Sequence, residues 1–341
     1  MASWVEDTAT RSQPMHGARQ ILGGIRVKRV VSVSVGSSKR NKTVEQEILG
    51  EQFVIERIGT DGSFERAGDM IAELDGQTDA IGLGGCDLYL VAGGRRHVVR
   101  DAARLAARAT TTPVVDGSGL KHTLERAAVR VLAERGMLHV DQALRGVKNL
   151  RVLITSAVDR FGMAEAFAEI GAQTIFGDLI FALGIPIPLR RLWQVRLAAD
   201  ALLPILVRQP FERLYPTGEK QHQSTPRFRK YYDWADIIAG DMHFINRYMP
   251  PARLALKDLA GKTVLTNTTT EEDVENLRGR GLSRLITTTP RMDGRSFGTN
   301  VMEGVVVSLL GKPPDDITEA DYLQILDRIG WEPNVMDLQE G

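Results

Sequence analysis

The chain has 341 residues, enough for two domains of ordinary size. Hydrophobic residues make up 43% and charged residues 25%, so a packed globular core is expected. The 43 Lys+Arg balance the 43 Asp+Glu, which argues against a nucleic-acid or membrane-surface binder, and a single cysteine, Cys86, excludes an intrachain disulfide or a cysteine-based zinc site.

Residues 1–25 mix Asp, Glu, Arg and Pro without an apolar run and read as a flexible N-terminal extension rather than a signal peptide. No stretch reaches the ~18 apolar residues a membrane span needs, so the cytoplasm is the expected compartment. Strand patterns then alternate with helical ones. Val27–Val35 and Gln52–Ile58 read as strands, Phe64–Leu74 as a helix, and Asp79–Leu83 as a strand ending in a glycine-rich turn. Leu88–Val91 and His97–Arg100 flank Gly93-Gly94 as a hairpin. Ala102–Ala109 and Leu120–Arg135 are helices around the short strand Pro113–Val115. A boundary falls near Gly136–Asn149. Beyond it come strand Arg151–Thr155, helix Met163–Ile170, strand Gln173–Phe176, the long helix Arg190–Val207 and a polar, aromatic-rich stretch, Tyr215–Tyr232, long enough to be a lid. Asp236–Ala239, Thr263–Asn267 and Arg284–Thr288 complete the strands, and Thr270 and Thr318 open helices with capping-box spacing.

The pattern predicts a two-domain α/β protein: an N-terminal α/β substrate domain over residues 26–140, then a C-terminal Rossmann-type parallel sheet with helices on both faces over 141–330. In the second half, strand Arg151–Thr155 feeds a turn, a helix and a second strand that ends at Asp178. A carboxylate there suits the ribose hydroxyls of NAD and repels the 2′-phosphate of NADP. The turn itself is poor in glycine: Thr155, Ala157 and Arg160 stand where glycines are usual, and only Gly162 survives, offset. Either Ser156, Ala157, Asp159, Arg160 and Gly162 hold a pyrophosphate through side chains and the helix N-terminus, or the unit is a structural βαβ with another ligand.

Three segments carry a resemblance. They are Val115-Asp-Gly-Ser-Gly-Leu-Lys-His-Thr-Leu-Glu125, Gly146-Val-Lys-Asn-Leu-Arg-Val-Leu-Ile154 and Phe297-Gly-Thr-Asn-Val-Met-Glu-Gly-Val-Val-Val-Ser-Leu-Leu-Gly-Lys-Pro-Pro314. In this order they resemble the shikimate/quinate dehydrogenase family, in particular its quinate 5-dehydrogenase-like members, across most of residues 28–314. The resemblance implies an NAD-dependent oxidoreductase acting on a secondary alcohol of a hydroxy acid, with Asp116 at the substrate and Asn300 near the place of the family's substrate-binding glutamine. The family's catalytic lysine lies upstream of the aspartate, and no lysine occurs between Lys42 and Lys121 here. Lys39, Lys42 or Lys121 could take its place if the fold brings one near Asp116, and Lys121, five residues on, is the candidate base.

Ser37, Ser38 and Lys39 follow the first strand with hydroxyls, backbone N–H groups and cations suited to a carboxylate. Thr289 and Arg291 follow a late strand and suit an oxyanion or a hydroxyl-rich ligand. Asp241 and His243 form too small a group for a metal, so none is expected. The expected partner is a small hydroxy acid, not a nucleic acid or a membrane; a homodimer is compatible with the sequence. The competing readings are a non-redox enzyme or a regulatory protein that binds a small anionic metabolite without NAD.

Overall fold

The computed structural model describes residues 21–22, 25–138, 149–210, 227–250, 259–292 and 295–339. The N-terminal extension falls almost wholly outside the described residues, as does most of the expected lid at 215–232.

Strand β1 (Lys28–Ser34) is buried along nearly its whole length, as a central strand rich in valine should be. An antiparallel pair follows, β2 (Lys42–Ile48) and β3 (Glu51–Gly59), then helix α1 (Phe64–Leu74), capped by the Ser63 hydroxyl on the Arg66 N–H. Next come β4 (Ala80–Gly84), the hairpin β5 (Tyr89–Ala92) and β6 (Arg95–Val98), α2 (Arg100–Ala106), β7 (Val114–Val115) and the long α3 (Ser118–Glu134). The first sheet has the order β2-β3-β1-β4-β7, parallel except where β2 meets β3.

The second sheet starts with β8 (Arg151–Ile154), α4 (Phe161–Glu169) and β9 (Gln173–Phe176). It continues through α5 (Leu192–Leu206), α6 (Arg229–Trp234), β10 (Ile237–Ala239), α7 (Met242–Tyr248), β11 (Thr263–Thr266), α8 (Glu271–Gly279) and β12 (Arg284–Thr287). After α9 (Thr299–Leu310) and α10 (Glu319–Arg328), β13 (Asn334–Asp337) pairs antiparallel with β12. The order is β9-β8-β10-β11-β12-β13, a doubly wound arrangement whose direction reverses at β8.

The molecule is thus α/β with two mixed, mostly parallel sheets. Each has apolar clusters on both faces. One face of the first sheet packs Val30, Phe53 and Ile55 against Val301, Val305 and Leu326, so α9 and α10, near the chain's end, return to the first sheet. The expected second domain ran to residue 330; these helices instead complete the first lobe before β13 rejoins the second. Among the described residues no helix is long and apolar enough to cross a membrane.

Helix α3 joins the lobes. Its first turns touch the first sheet through Leu120 and Leu124, while Val129 and Leu132 lie in the core of the second. It lies on α4 so closely that a Cβ on Gly162 would come within 2.2 Å of the His122 carbonyl oxygen. Gly162 therefore serves helix contact, not ligand approach. Because the obstacle is backbone, Gly162→Ala should cost at least about 2 kcal/mol, read as a lower urea midpoint with an unchanged m-value; a midpoint within error of wild type would show that the two helices can separate freely.

Candidate functional site

The C-terminal ends of both sheets approach one another over α3. Arg160, in the turn after β8, is 3% exposed. Its Nη1 donates to Glu125 Oε1 on α3, its Nη2 donates to Asp241 Oδ2 after β10 at 3.0 Å, and its Nε lies 3.0 Å from Asp159 Oδ2. Lys121 Nζ sits 2.7 Å from Asp159 Oδ1 and 3.3 Å from Asp87 Oδ1, which follows β4. Two cations and four carboxylates from both lobes thus make one network.

This network decides what the expected cofactor turn can do. The guanidinium assigned to a pyrophosphate is already committed to protein carboxylates. Asp178, assigned to ribose, instead accepts from the Val158 N–H at 2.9 Å and so closes the same turn. Burial pushes its carboxyl up to about 6, and its Oδ2 is buried with no hydrogen-bond partner among the described residues. Ala157 is fully buried, Ser156 is half-buried, and His122 of α3 covers Gly162, whose N–H donates to His122 Nδ1 at 3.3 Å.

The expected Asp116–Lys121 pair does not form. Asp116 accepts from the N–H groups of Leu88 at 2.6 Å, Tyr89 at 3.0 Å and Ser118 at 2.9 Å, binding the start of the hairpin to the start of α3. Burial opposes the Lys121 charge, but Asp159 and Asp87 outweigh it and hold the ammonium above the ordinary lysine value. A lysine so firmly protonated is no general base near neutrality. Asn300 is also structural, donating from Nδ2 to Ser32 Oγ at 2.7 Å and lying against Gly82. Thr289 is buried and continues the β11–β12 pairing through its N–H to the Asn267 carbonyl. Arg291 lies in a two-residue strand, and its side chain is outside the described residues.

The loop after β1 fits its expected chemistry better. The Ser37 hydroxyl accepts from the Lys39 N–H, and the Ser38 N–H donates to Asp61. Beside them stands Arg57, at the C-terminal end of β3, donating to the Ser37 carbonyl at 3.1 Å and to Ser34 Oγ at 3.0 Å. Arg40 reaches the same spot: a Cβ on Gly36 would lie 3.3 Å from Arg40 Nη2 and 3.5 Å from Arg57 Nη2. No carboxylate forms an ion pair with either among the described residues. Burial first, then the Arg40 charge, lowers the Arg57 guanidinium to about 10. Lys42 stands directly opposite Arg57 in the β2–β3 pairing, its ammonium 4.1 Å from the centre of the Phe297 ring. Sequence reasoning singled out the serines and Lys39 but missed Arg57; a lone cation at the C-terminal end of a strand was the signal.

A separate hollow of about 630 Å³ opens between β2 and the link from α10 to β13, lined in part by Gln46, Glu47, Pro290, Trp331, Glu332 and Asn334. Its described lining contains no lysine or arginine, so it suits an anion poorly. Among the described residues no group of three or more His, Cys, Asp or Glu is placed to hold a metal.

Residues 119–338 match the family described as domain of unknown function DUF8754, and residues 29–116 match DUF8753. No curated protein matches the chain. Similar solved structures include a glucose-galactose binding protein from Geobacillus stearothermophilus (10% identity, covering 92% of this chain and 99% of that one, TM-score 0.37). A periplasmic ribose ABC transporter protein from Conexibacter woesei is similar at 11% identity, 89% and 95% coverage and TM-score 0.37. The NAD-dependent malic enzyme of Thermotoga maritima is similar at 13% identity, 89% and 84% coverage and TM-score 0.32. The matching families are described as domains of unknown function, not as shikimate/quinate dehydrogenases. The filled turn, the locked lysine and the match to families other than that one correct the expectation of a quinate- or shikimate-type oxidoreductase.

Two outcomes follow from the network. Arg160→Met would leave Glu125, Asp159 and Asp241 without their shared cation and should destabilise the fold by roughly 3–5 kcal/mol in urea unfolding; a loss near zero would mean the carboxylates find other partners. His122, beside the network, is pH-sensitive: burial first, then the Lys121 charge, pushes it from 6.5 down to about 3. An imidazole kept neutral by the fold contributes stability that is complete above pH 6.5 and lost as pH falls towards 3. His122→Gln should flatten that acid limb in thermal melts recorded from pH 7 to 4.

Proposed function

We propose that this chain, which belongs to the family described as domain of unknown function DUF8754, binds a small anionic metabolite, a carboxylate or a phosphate, and acts by binding rather than by turnover. The observation that carries this reading is the meeting of Arg40 and Arg57 at Gly36 with no carboxylate ion-paired to either among the described residues. Two guanidinium groups held side by side repel one another; burial first, then that repulsion, lowers Arg57, with Asp61 opposing. An anion between them would relieve it and take charge-assisted hydrogen bonds from both.

The position agrees with the fold, because ligands of open α/β sheets bind outside the C-terminal ends of the strands. Ser34, Ser37 and Lys39 supply hydroxyls and a further charge beside the arginines, and Lys42 adds another cation from β2. The charged network around Arg160 lies at the same end of the sheets, where it joins the lobes. The ligand is therefore a metabolite with one strongly anionic end.

Inorganic phosphate and citrate should each raise the melting temperature at millimolar concentration. Arg57→Met should abolish the shift, and Arg40→Gln, at an exposed position, should weaken binding about tenfold, the equivalent of roughly 1.4 kcal/mol. No shift with either anion, or an undiminished shift in Arg57→Met, would reject the proposal.

A further inference from the structure

Helix α5 is apolar on two faces. Val195, Ala199 and Leu203 are buried in the core of the second lobe. On the opposite side Trp193, Leu197 and Ile205 are 61%, 63% and 62% exposed, and Ala201 completes a stripe with a spacing of four along the helix. A surface helix ordinarily turns polar residues outward. A run of an indole and two branched aliphatics facing water is the signature of a surface with a partner.

From this we infer that α5 is the two-fold contact between two copies of the chain. The stripe is self-complementary. When two α5 helices run antiparallel with Trp193 opposite Ile205 of the second copy, Leu197 falls opposite Ala201 of the second copy, so a large side chain meets a small one. The flanking charges agree with the same register. Arg196 and Asp200 lie along one edge of the stripe, 48% and 47% exposed. Within one chain Arg196 Nη2 reaches Glu165 at 3.2 Å and Asp200 lies 3.6 Å from Arg95 Nη1, and the two-fold pairing brings this charged edge of one helix beside the same edge of the other. Opposite charges at such an edge fix register and orientation.

Trp193, Leu197, Ala201 and Ile205 supply only part of the ~800 Å² that each partner commonly contributes to a stable interface. The hairpin β5–β6 borders the same edge and supplies more. Gly93 lies against Arg196, Arg95 Nη1 is 3.6 Å from Asp200, and Val98 is 48% exposed. The result is an apolar centre with a polar rim on one side, the usual anatomy of a protein–protein contact. This contact is independent of the anion site, which lies on the first lobe.

The test is sedimentation velocity on the full chain from roughly 1 to 100 µM, a range in which a moderate dimer dissociates measurably. Wild type should sediment at twice the mass of one chain at the upper end. Leu197→Glu should sediment as one chain throughout, with unchanged circular dichroism at 25 °C and a melting temperature that no longer depends on concentration. Adding Ala201→Lys to Leu197→Glu should restore the dimer, because the register sets the new charges opposite each other. Trp193 emission should shift to the red in the monomeric variant. A wild-type monomer at the highest concentration, or an intact dimer in Leu197→Glu, would overturn the inference. So would co-flotation of monomeric wild type with anionic phospholipid vesicles, which would assign the face to a lipid surface.

Discussion

A guanidinium surrounded by carboxylates and closed off from water is the constraint on which this structure turns. Taking Arg160 out of water costs several kcal/mol, and only well-placed counter-charges offset that cost. Glu125 comes from α3, Asp159 from the same turn as Arg160, and Asp241 from the end of β10. Lys121 carries the arrangement on to Asp87 at the end of β4. The network therefore forms only when the two lobes and the helix between them are in register. Its specificity, more than its net energy, is what it contributes, because buried ion pairs are weak stabilisers but poor tolerators of misalignment.

The same constraint separates binding from catalysis in this fold. A Lys–Asp pair poised for proton transfer needs a lysine that can give up its proton near neutral pH. Lys121 stands between two carboxylates and holds its proton firmly. Asp116 is spent on three backbone N–H groups. Arg40 and Arg57 meet elsewhere, and among the described residues neither is ion-paired to a carboxylate, although Asp61 acts on Arg57 from nearby. On the proposed reading, an anion from solution relieves the repulsion between them.

Most of the framework was legible in the sequence. The valine-rich β1 and the βαβ run from β8 to β9 have periodicities that depend on local burial, and they appear where expected. Strand β2 escaped because it lies at a sheet edge: Thr43, Glu45 and Glu47 face solvent, leaving few apolar residues to announce it. Strand β13 escaped because its pairing with β12 spans a long stretch of chain. The site was harder. Gly162, Arg160 and Asp178 have the residue types of a nucleotide turn, and only the position of α3 shows that the glycine accommodates a helix, the arginine meets carboxylates and the aspartate closes a loop. Arg40 and Arg57 lie on separate segments and meet only through the register of β1 and β3. Spacing along a chain cannot report a contact that two sheets and a crossing helix create.

The central claim is that anion recognition belongs to the Arg40–Arg57 pair while Arg160 stays locked in protein contacts. Arginine side-chain Nε–Hε resonances of the nitrogen-15-labelled chain, followed by NMR during a titration with inorganic phosphate, read both parts at once. The account predicts saturable shifts of the Arg57 and Arg40 signals with the Arg160 signal unmoved. A shift of Arg160 with the other two unchanged would contradict it, showing that the turn after β8 opens to take the ligand.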